Sequence, residues 1–153
     1  MIRNGEQRDI PRLAAIFRQM HEHHMRIAPD SYTMPFEGYF ELEMRSYLSD
    51  EGMTVLVCER DGEAAAYAAL RVCDRESAGR VPLRILYIEH FAVAEEHRRC
   101  GLGTELFDAV RELSAEKQCG CIQLGAAAAN TEALGFYQKQ GMTPRTIKME
   151  IKL

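Results

Sequence analysis

The segment Arg98-Arg99-Cys100-Gly101-Leu102-Gly103-Thr104 separates a strand-like run from a helix-like run. The run before it, residues 85–93, reads ILYIEHFAV and is rich in the β-branched and aromatic residues typical of strands. The run after it repeats apolar residues at helical spacing, namely Leu102, Leu106, Val110 and Leu113. A helix start leaves backbone N–H groups without internal partners, and its dipole favours an anion there. The segment therefore predicts a pyrophosphate site, where glycines permit close backbone approach and arginines add charge-assisted hydrogen bonds.

Taken alone, this segment also fits a basic surface turn, because Gly-x-Gly is a weak pattern. It lacks the third glycine of a dinucleotide fingerprint and the Gly-Lys-Ser/Thr of a P-loop. A second segment, residues 130–142, reads NTEALGFYQKQGM, with Asn130 suited to cap a helix and Gly141 to end it. Together, Arg-x-x-Gly-x-Gly at 98–103 and Asn-x-x-Ala-x-x-Phe-Tyr-x-x-x-Gly at 130–141 resemble the GCN5-related N-acetyltransferase (GNAT) superfamily.

The specific motifs of this resemblance lie within residues 85–142, and the order of elements is similar over nearly the whole chain. The resemblance implies one N-acyltransferase domain over residues 1–153, with acetyl-CoA as cosubstrate and its pyrophosphate at the 98–104 turn. It also implies that the pantetheine arm pairs with exposed backbone groups of the 85–93 strand. The implied cofactor-binding residues are Phe91, Ala92, Val93, Arg98, Arg99, Cys100, Gly101, Leu102, Gly103, Thr104, Asn130 and Tyr137.

Acetyl transfer to an amine requires a proton acceptor, a donor to the developing oxyanion and a proton for the departing thiolate. The resemblance places a base at Glu89 and an acid at Tyr137, and the backbone N–H of Phe91 is the natural oxyanion donor. A salt bridge to an arginine on a neighbouring strand is the alternative for Glu89, and a core position is the alternative for Tyr137. His90 has the better intrinsic pKa, but strand alternation predicts that it points away from Glu89.

The acceptor pocket in this family commonly forms from the first helix, the following loop and the second helix. Its candidate residues here are His24, Asp30, Tyr32, Glu37, Tyr39 and Glu41, together with Glu89. The carboxylates suit a cationic acceptor, although acidic surface residues are common. Gly125 and the following Ala126–Ala129 add little bulk, which either leaves room for a thioester or reflects a close-packed connection. His21, Glu22 and His23 with His24 lack a His-Glu-x-x-His pattern, so no metal site is expected.

Composition indicates an ordinary globular chain, with 46% hydrophobic and 27% charged residues. The net charge of −4 argues against a general nucleic-acid partner. No apolar run approaches the roughly 20 residues that span a bilayer, and no signal-peptide stretch is present, so a cytoplasmic location is expected without a membrane partner. The five cysteines are an odd number, which disfavours a disulfide framework; Cys100, beside two arginines, is a candidate for modification.

Periodicity and turn signals predict an α/β (α+β) chain: a mixed, mostly antiparallel central sheet with a parallel strand pair at its centre and helices on both faces. The resemblance implies that this parallel pair is splayed. The predicted elements are a strand at 1–4, a helix from Asp9, a loop at 28–35, a helix from Phe36 to Leu48, a hairpin of 54–58 and 64–72 around Asp61-Gly62, a mobile loop at 74–81, a strand at 85–93, a helix at 103–117, a strand at 121–125, a helix at 130–140 and a half-buried closing strand at 147–153.

The resulting hypothesis is an acetyl-CoA-dependent N-acetyltransferase that acts on a primary amine by direct attack in a ternary complex, with a small amine as acceptor. A protein N-terminal or lysine acetyltransferase, an acyl-CoA-binding sensor of the same fold and an unrelated nucleotide-phosphate binder are the alternatives. Dimers are frequent in the family, so a homodimer is one expectation; the residues leave the oligomeric state and the acyl chain length open.

Overall fold

The computed structural model describes all 153 residues and contains one five-stranded sheet in the order β1-β2-β3-β4-β5. The first three strand pairs are antiparallel and the β4–β5 pair is parallel. The mixed sheet and its parallel pair are therefore as predicted, but the pair lies at one edge of the sheet and not at its centre, because no strand follows β5 in the sheet order. The elements are β1 (Ile2–Asn4), α1 (Ile10–Ile27), α2 (Tyr39–Ser49), β2 (Met53–Arg60), β3 (Glu63–Arg75), β4 (Leu83–Val93), α3 (Leu102–Glu116), β5 (Cys121–Leu124) and α4 (Thr131–Lys139).

The β2–β3 hairpin turns at the predicted pair, Asp61 and Gly62. Both residues have positive φ, 50° and 83°. Two consecutive positive-φ residues match the twist of the flanking strands, and Asp-Gly is a preferred sequence for such a turn. The hairpin fixes the register of β3, which then pairs along its far edge with β4, the strand that carries most of the site.

Helices cover both faces of the sheet, also as predicted. The helices α1 and α2 pack on one face, where Leu13, Phe17, Met44 and Tyr67 are buried. Helix α3 packs on the other, and the aromatic side chains of α4 lie against the same cluster. We call these the α1/α2 face and the α3 face. No helix of the structure combines the length and the apolar character needed to cross a membrane.

Strand β4 contains a β-bulge at Glu89 that the sequence pattern did not reveal. Ala69 pairs with His90 and Leu70 pairs with Ile88, so Glu89 is an extra residue opposite β3. A bulge of this kind breaks side-chain alternation and redirects a side chain. Side chains at 86 and 88 lie on the α3 face, and so do those at 91 and 93. The predicted strict alternation along 85–93 is therefore wrong.

Two predicted element boundaries and one predicted strand also differ from the structure. Helix α2 begins at Tyr39 rather than Phe36, because Gly38 precedes it in a left-handed conformation at φ +83°. Strand β3 continues to Arg75, so the predicted 74–81 loop begins after it. Residues 147–153 form no strand, although they alternate as predicted. Alternation specifies which side of a strand is apolar, but a strand also requires a pairing edge, and this segment pairs with none.

Candidate active site

The turn from Arg98 to Thr104 presents a helix N-terminus with unpaired donors. Gly101 is the residue before α3, at φ +87°, a conformation that a Cβ would strain. The backbone N–H groups of Leu102, Gly103 and Thr104 donate to no protein atom, and no side chain caps the helix. Glu105, the acidic residue of this first turn, is paired with Arg60. The turn thus has the form of an anion site in which the carboxylate of the first helical turn is already paired.

The two arginines of the turn do different things. Arg98 Nε donates to the carbonyl oxygen of Val93 at 3.2 Å, so its guanidinium ties the turn to the end of β4. Arg99 lies at φ +58°, and its side chain is 86% exposed, with only Glu132 on α4 at 3.8 Å. Arg99 is therefore the freer cation, whereas Arg98 has a structural contact as well. The Cys100 thiol is exposed and donates to the His97 carbonyl at 2.7 Å.

Two of the predicted cofactor-binding residues, Gly103 and Leu102, face the protein core at their side-chain positions. A Cβ on Gly103 would lie 3.3 Å from the ring of Phe136, so the close approach that this glycine permits is that of α4 against α3. The Leu102 side chain is buried, so only its backbone faces the turn. Of the two glycines, only Gly101 has open space where its Cβ would lie, and the binding of a ligand at either one stays a prediction.

The parallel strands β4 and β5 separate after their last pair, Ile88 and Leu124. Beyond it, β4 continues to Val93 without a neighbour on that side. The Ala94 N–H donates to Ala65 on β3 at 2.9 Å, so alternation directs the backbone groups of Phe91 and Val93 into the gap. The Val93 carbonyl already accepts a hydrogen bond from Arg98. The backbone groups in the gap without a hydrogen-bond partner are therefore the N–H and C=O of Phe91 and the N–H of Val93. Ala92 is buried, and its backbone faces β3 instead.

Helix α4 places Tyr137 beside this gap. Asn130 caps the helix, accepting a 3.2 Å hydrogen bond from the Ala133 N–H. The Tyr137 ring lies 6.1 Å from the ring of Phe91, and its hydroxyl has no hydrogen-bond partner in the protein. Burial raises the pKa of Tyr137 to about 12, which keeps the phenol protonated and able to donate.

The bulge places Glu89 and His90 on the same face, so the predicted opposition between them is wrong. The Glu89 carboxylate lies 3.8 Å from Arg71, which is held more closely by Asp50 at 2.9 Å. His90 lies on the α1/α2 face with its ring 4.3 Å from that of Phe17. The Glu89 carboxylate is thus half-exposed and weakly paired, so the salt-bridge alternative describes a loose contact.

His90 is buried and lies in a hydrogen-bonded network with two tyrosines. Its Nδ1 shares a 3.1 Å hydrogen bond with Tyr67, and its Nε2 shares a 3.5 Å contact with Tyr47. Burial lowers the pKa of His90 to about 4, with a smaller contribution from the charge of His24. Both nitrogens of His90 are thus already engaged, whereas the Glu89 carboxylate is exposed and only loosely paired.

Only some of the residues predicted to line the acceptor pocket lie in contact with one another. The His24 ring lies 5.0 Å from that of Tyr32, and burial lowers the pKa of His24. His21 donates to the Thr33 carbonyl at 2.8 Å, which holds the loop against α1. The side chains of Glu37 and Glu41 are exposed, and Asp30 pairs with Lys152.

Sequence reasoning missed Glu43 and Tyr47 on α2. Tyr39, Glu43 and Tyr47 are spaced four residues apart and share one half-buried helix stripe. Burial raises the pKa of Tyr47 to about 12, helped by the charges of Glu43 and Glu89. The two carboxylates therefore approach the same phenol, one from α2 and the other from β4. The i, i+4 spacing was the signal that could have found them.

Tyr87 is a further residue that the sequence did not single out. A Cβ on Gly125 would lie 3.4 Å from the Tyr87 hydroxyl, in ordinary contact. The space beside Gly125 thus adjoins a phenol on the last paired part of β4, next to Gln123 of β5. Gly125 remains a candidate for the wall of the gap.

Comparisons with known proteins show which family the chain belongs to. The chain matches the Acetyltransferase (GNAT) family over residues 17–142. It is 29% identical over 130 residues to a Bacillus subtilis (strain 168) protein named "putative ribosomal protein bS18-alanine N-acetyltransferase", covering 83% of this chain and 77% of that one. It is 36% identical over 96 residues to an aminoglycoside 2'-N-acetyltransferase of Mycolicibacterium fortuitum, covering 61% of this chain and 45% of that one. The crystal structure of a single mutant of the BH1408 protein from Bacillus halodurans superposes over 100% of this chain and 99% of its own, with a TM-score of 0.94 and 24% identity.

The chain belongs to the GNAT acetyltransferase family, because the family match extends over most of its length. It is an acetyl-CoA-dependent N-acetyltransferase, as the resemblance implied. The acyl donor is thereby assigned. The acceptor is not, since the named relatives include acetyltransferases of a ribosomal protein and of aminoglycosides.

Proposed function

We propose that this enzyme transfers the acetyl group of acetyl-CoA to a small primary amine by direct attack in a ternary complex. The observation that carries the proposal is the order of groups along β4 and the turn after it. Glu89 comes first, then the free backbone groups of Phe91 and Val93, then the unpaired N–H groups at the start of α3. A residue advances about 3.3 Å along a strand, so this row has the reach of an extended thioester arm ending in a pyrophosphate.

In the proposed mechanism, Glu89 accepts a proton from the acceptor ammonium, directly or through water, because only the neutral amine has a free electron pair. The amine nitrogen then forms a bond to the thioester carbonyl carbon. The Phe91 N–H donates to the oxygen as negative charge develops on it. The carbonyl then re-forms, the carbon–sulfur bond breaks with its electron pair remaining on sulfur, and the nitrogen releases its second proton to solvent to leave the neutral amide. Tyr137 donates a hydrogen bond or its proton to the departing thiolate. Solvent reprotonates the phenol.

Helix α3 and its preceding turn hold the cosubstrate in this proposal. The N–H groups of Leu102, Gly103 and Thr104 donate to the pyrophosphate, and Arg99 supplies a cation. Arg98 supports the site by holding Val93, while Asn130 positions Tyr137 by capping α4. Cys100 contributes its backbone only, since its thiol points to the His97 carbonyl.

The carboxylates of Glu43 and Glu89 favour a cationic acceptor, and the phenols of Tyr39 and Tyr47 add aromatic faces to which a cation is attracted. The contacting rings of His24 and Tyr32, 5.0 Å apart, are further candidates for the acceptor pocket. The relative named as an aminoglycoside 2'-N-acetyltransferase supports a small polyamine-like acceptor. The relative named for ribosomal protein acetylation supports the second candidate, a protein N-terminus.

A screen of acceptors tests this proposal. The enzyme is incubated with acetyl-CoA and, in separate reactions, an aminoglycoside, a polyamine, free amino acids and a peptide with an N-terminal alanine. Acetylated product is then measured by liquid chromatography and mass spectrometry. Transfer to the small cations is expected. Acetylation of the peptide alone establishes the second candidate, and binding of acetyl-CoA without any product supports a sensor instead.

The proposal treats residues 1–153 as one catalytic domain that works in the cytoplasm as a homodimer. It requires no metal, no nucleic acid and no membrane partner. The acidic balance of the chain, with 23 acidic and 19 basic residues, is consistent with a small cationic substrate.

A further inference from the structure

Arg71 on β3 lies between two carboxylates that belong to different elements. Its Nη2 donates to Oδ2 of Asp50 at 2.9 Å, whereas its Nε lies 3.8 Å from Oε1 of Glu89 on β4. A separation of 3.8 Å is too long for a hydrogen bond, so Arg71 is hydrogen-bonded to Asp50 and only adjacent to Glu89. Arg71 is also the one cation that forms an ion pair with the Glu89 carboxylate. Which of the two carboxylates binds Arg71 therefore decides how strongly Glu89 holds its negative charge.

The Asp50 carboxylate is fixed by the turn between α2 and β2. Asp50 directly follows the last residue of α2, and its Oδ1 accepts a hydrogen bond from the Gly52 N–H at 2.8 Å. The other oxygen, Oδ2, is the one that Arg71 binds. Gly52 also leaves room for the guanidinium, because a Cβ at that position would lie 3.0 Å from Nη1 of Arg71. The turn thus holds the guanidinium in one position.

The electrostatics of the pair agree with these distances. The hydrogen bond from Arg71 lowers the pKa of Asp50, and the Gly52 N–H lowers it further. The pKa of Arg71 is raised chiefly by the same hydrogen bond, and the charge of Glu89 contributes less. The pair of Asp50 and Arg71 is therefore charged throughout the neutral and alkaline range in which an amine is acetylated.

The other groups that face Glu89 carry no positive charge near neutral pH. Tyr47 on α2 has its pKa raised to about 12 by burial, helped by the charges of Glu43 and Glu89, so it is a neutral phenol. His90, the next residue of β4, has its pKa lowered to about 4 by burial, so it is a neutral imidazole. Glu43 is a carboxylate and cannot replace a cation. Arg71 is therefore the group that can make Glu89 a weaker base.

We propose that Asp50 is a positioning residue for Glu89, because it binds Arg71 and so keeps that guanidinium out of hydrogen-bond contact with the carboxylate that accepts the proton. An arginine in full contact would stabilise the charged form of Glu89 and reduce its strength as a base. Asp50 acts through Arg71 alone and needs no contact with either substrate. The inference rests on the proposed role of Glu89 as the base.

The first test is the substitution Asp50→Asn. The asparagine keeps one oxygen for the Gly52 N–H, but its NH₂ group cannot accept a hydrogen bond from Arg71, which is then free to turn to Glu89. An arginine in contact lowers the pKa of a carboxyl group by about 1–3 units, and about half of that shift is expected in the rate, so kcat/KM for the amine should fall about 3- to 30-fold. An unchanged kcat/KM overturns the proposal.

Two further variants separate this effect from a general loss of charge. Asp74→Asn is the matched control, because Asp74 also pairs with an arginine from β3, Arg84 on β4, at 3.7 Å, and it should leave kcat/KM unchanged. Arg71→Gln removes the cation itself, so Asp50→Asn should have no effect in the Arg71→Gln background. An equal fall in both backgrounds, or an equal fall in the control, overturns the proposal. Thermal unfolding confirms that each variant remains folded.

A titration of the Glu89 carboxyl group gives a readout that does not depend on turnover. The protein is labelled with carbon-13 at the glutamate carboxyl carbons, and the Glu89 resonance is identified by its absence from Glu89→Gln. At low ionic strength, which limits the screening of these partly exposed pairs, the midpoint should lie about one pH unit or more lower in Asp50→Asn than in the parent. An unmoved midpoint overturns the role of Asp50 even where Glu89→Gln abolishes turnover. Turnover of Glu89→Gln at the parent rate would instead refute the proposed base, and the role of Asp50 with it.

Discussion

Replacement of Tyr137 by Phe isolates the contribution of one hydroxyl to acetyl transfer. The hydroxyl has no hydrogen-bond partner in the protein, so its loss should change the melting temperature little. Burial raises the pKa of Tyr137 to about 12, whereas an ordinary thiol has a pKa of about 8.5. Full transfer of the proton to the thiolate is therefore uphill by about 3 to 4 pKa units. The phenol acts chiefly by donating a hydrogen bond to the developing charge.

The expected loss of rate is that of one hydrogen bond to a charged group. Such a bond contributes about 1.5–3 kcal/mol, and about 1.4 kcal/mol corresponds to a tenfold rate change. Tyr137→Phe should therefore lower kcat about 10- to 150-fold. The KM for acetyl-CoA should stay within about twofold, since the interaction strengthens only as the thiolate forms.

The assay measures release of coenzyme A with a thiol-reactive dye at saturating acceptor, across a series of acetyl-CoA concentrations. Thermal unfolding of both proteins is the control for folding. An unchanged kcat would remove Tyr137 from the mechanism. A KM for acetyl-CoA that rises while kcat stays constant would assign the hydroxyl to binding.

Three further predictions concern the base, the turn and the buried imidazole. Glu89→Gln should lower kcat/KM about 10²- to 10⁴-fold and flatten the rise of kcat/KM with pH, whereas Glu51→Gln, at an exposed position, should change neither. Equal effects of the two substitutions in steady-state assays would rule out Glu89 as the base. Gly101→Val places a branched residue at φ +87°, so it should lower the free energy of unfolding by about 1–3 kcal/mol and weaken acetyl-CoA binding in a thermal-shift titration. A variant as stable and as tight-binding as the parent would contradict the strain argument. The pKa of His90 is about 4 in the folded protein and about 6.5 in the unfolded chain. Between about pH 6.5 and about pH 4 the unfolded chain therefore binds more protons, so the free energy of unfolding falls by up to about 3 kcal/mol as the pH is lowered. Urea unfolding at pH 7 and pH 4.5 should show a smaller loss for His90→Gln than for the parent, and identical losses would refute the assignment.

Local signals in the sequence predicted the parts of the fold that short segments decide. Asp61-Gly62 specifies its turn because both residues tolerate positive φ, and Asn130 caps α4 through its own side chain. The strand–turn–helix around Gly101 also depends on contiguous residues. Those features were visible because their energetics are set within a few positions along the chain.

Features that depend on distant partners were not visible. The bulge at Glu89 arises from the register of β3 against β4, which no pattern within 85–93 reports. The position of Glu89 beside His90 follows from that register, so alternation gave the wrong answer. Residues 147–153 have the period of a strand but form none, because period alone does not supply the pairing edge that a strand requires. The reason for a glycine at position 103 is likewise a distant contact, because the ring of Phe136 on another helix packs closely against it.

The most direct test of the central claim is a transfer assay with acetyl-CoA labelled with carbon-13 in the acetyl group, using the acceptor that the screen identifies. The label is expected to appear as an amide on the primary amine, with one coenzyme A released per amide formed. No labelled acetyl-enzyme is expected when the acceptor is omitted, because Glu89 and Tyr137 assist direct attack. Accumulation of labelled protein, or tight binding of acetyl-CoA with no amide from any amine, would contradict direct transfer to an amine at this site.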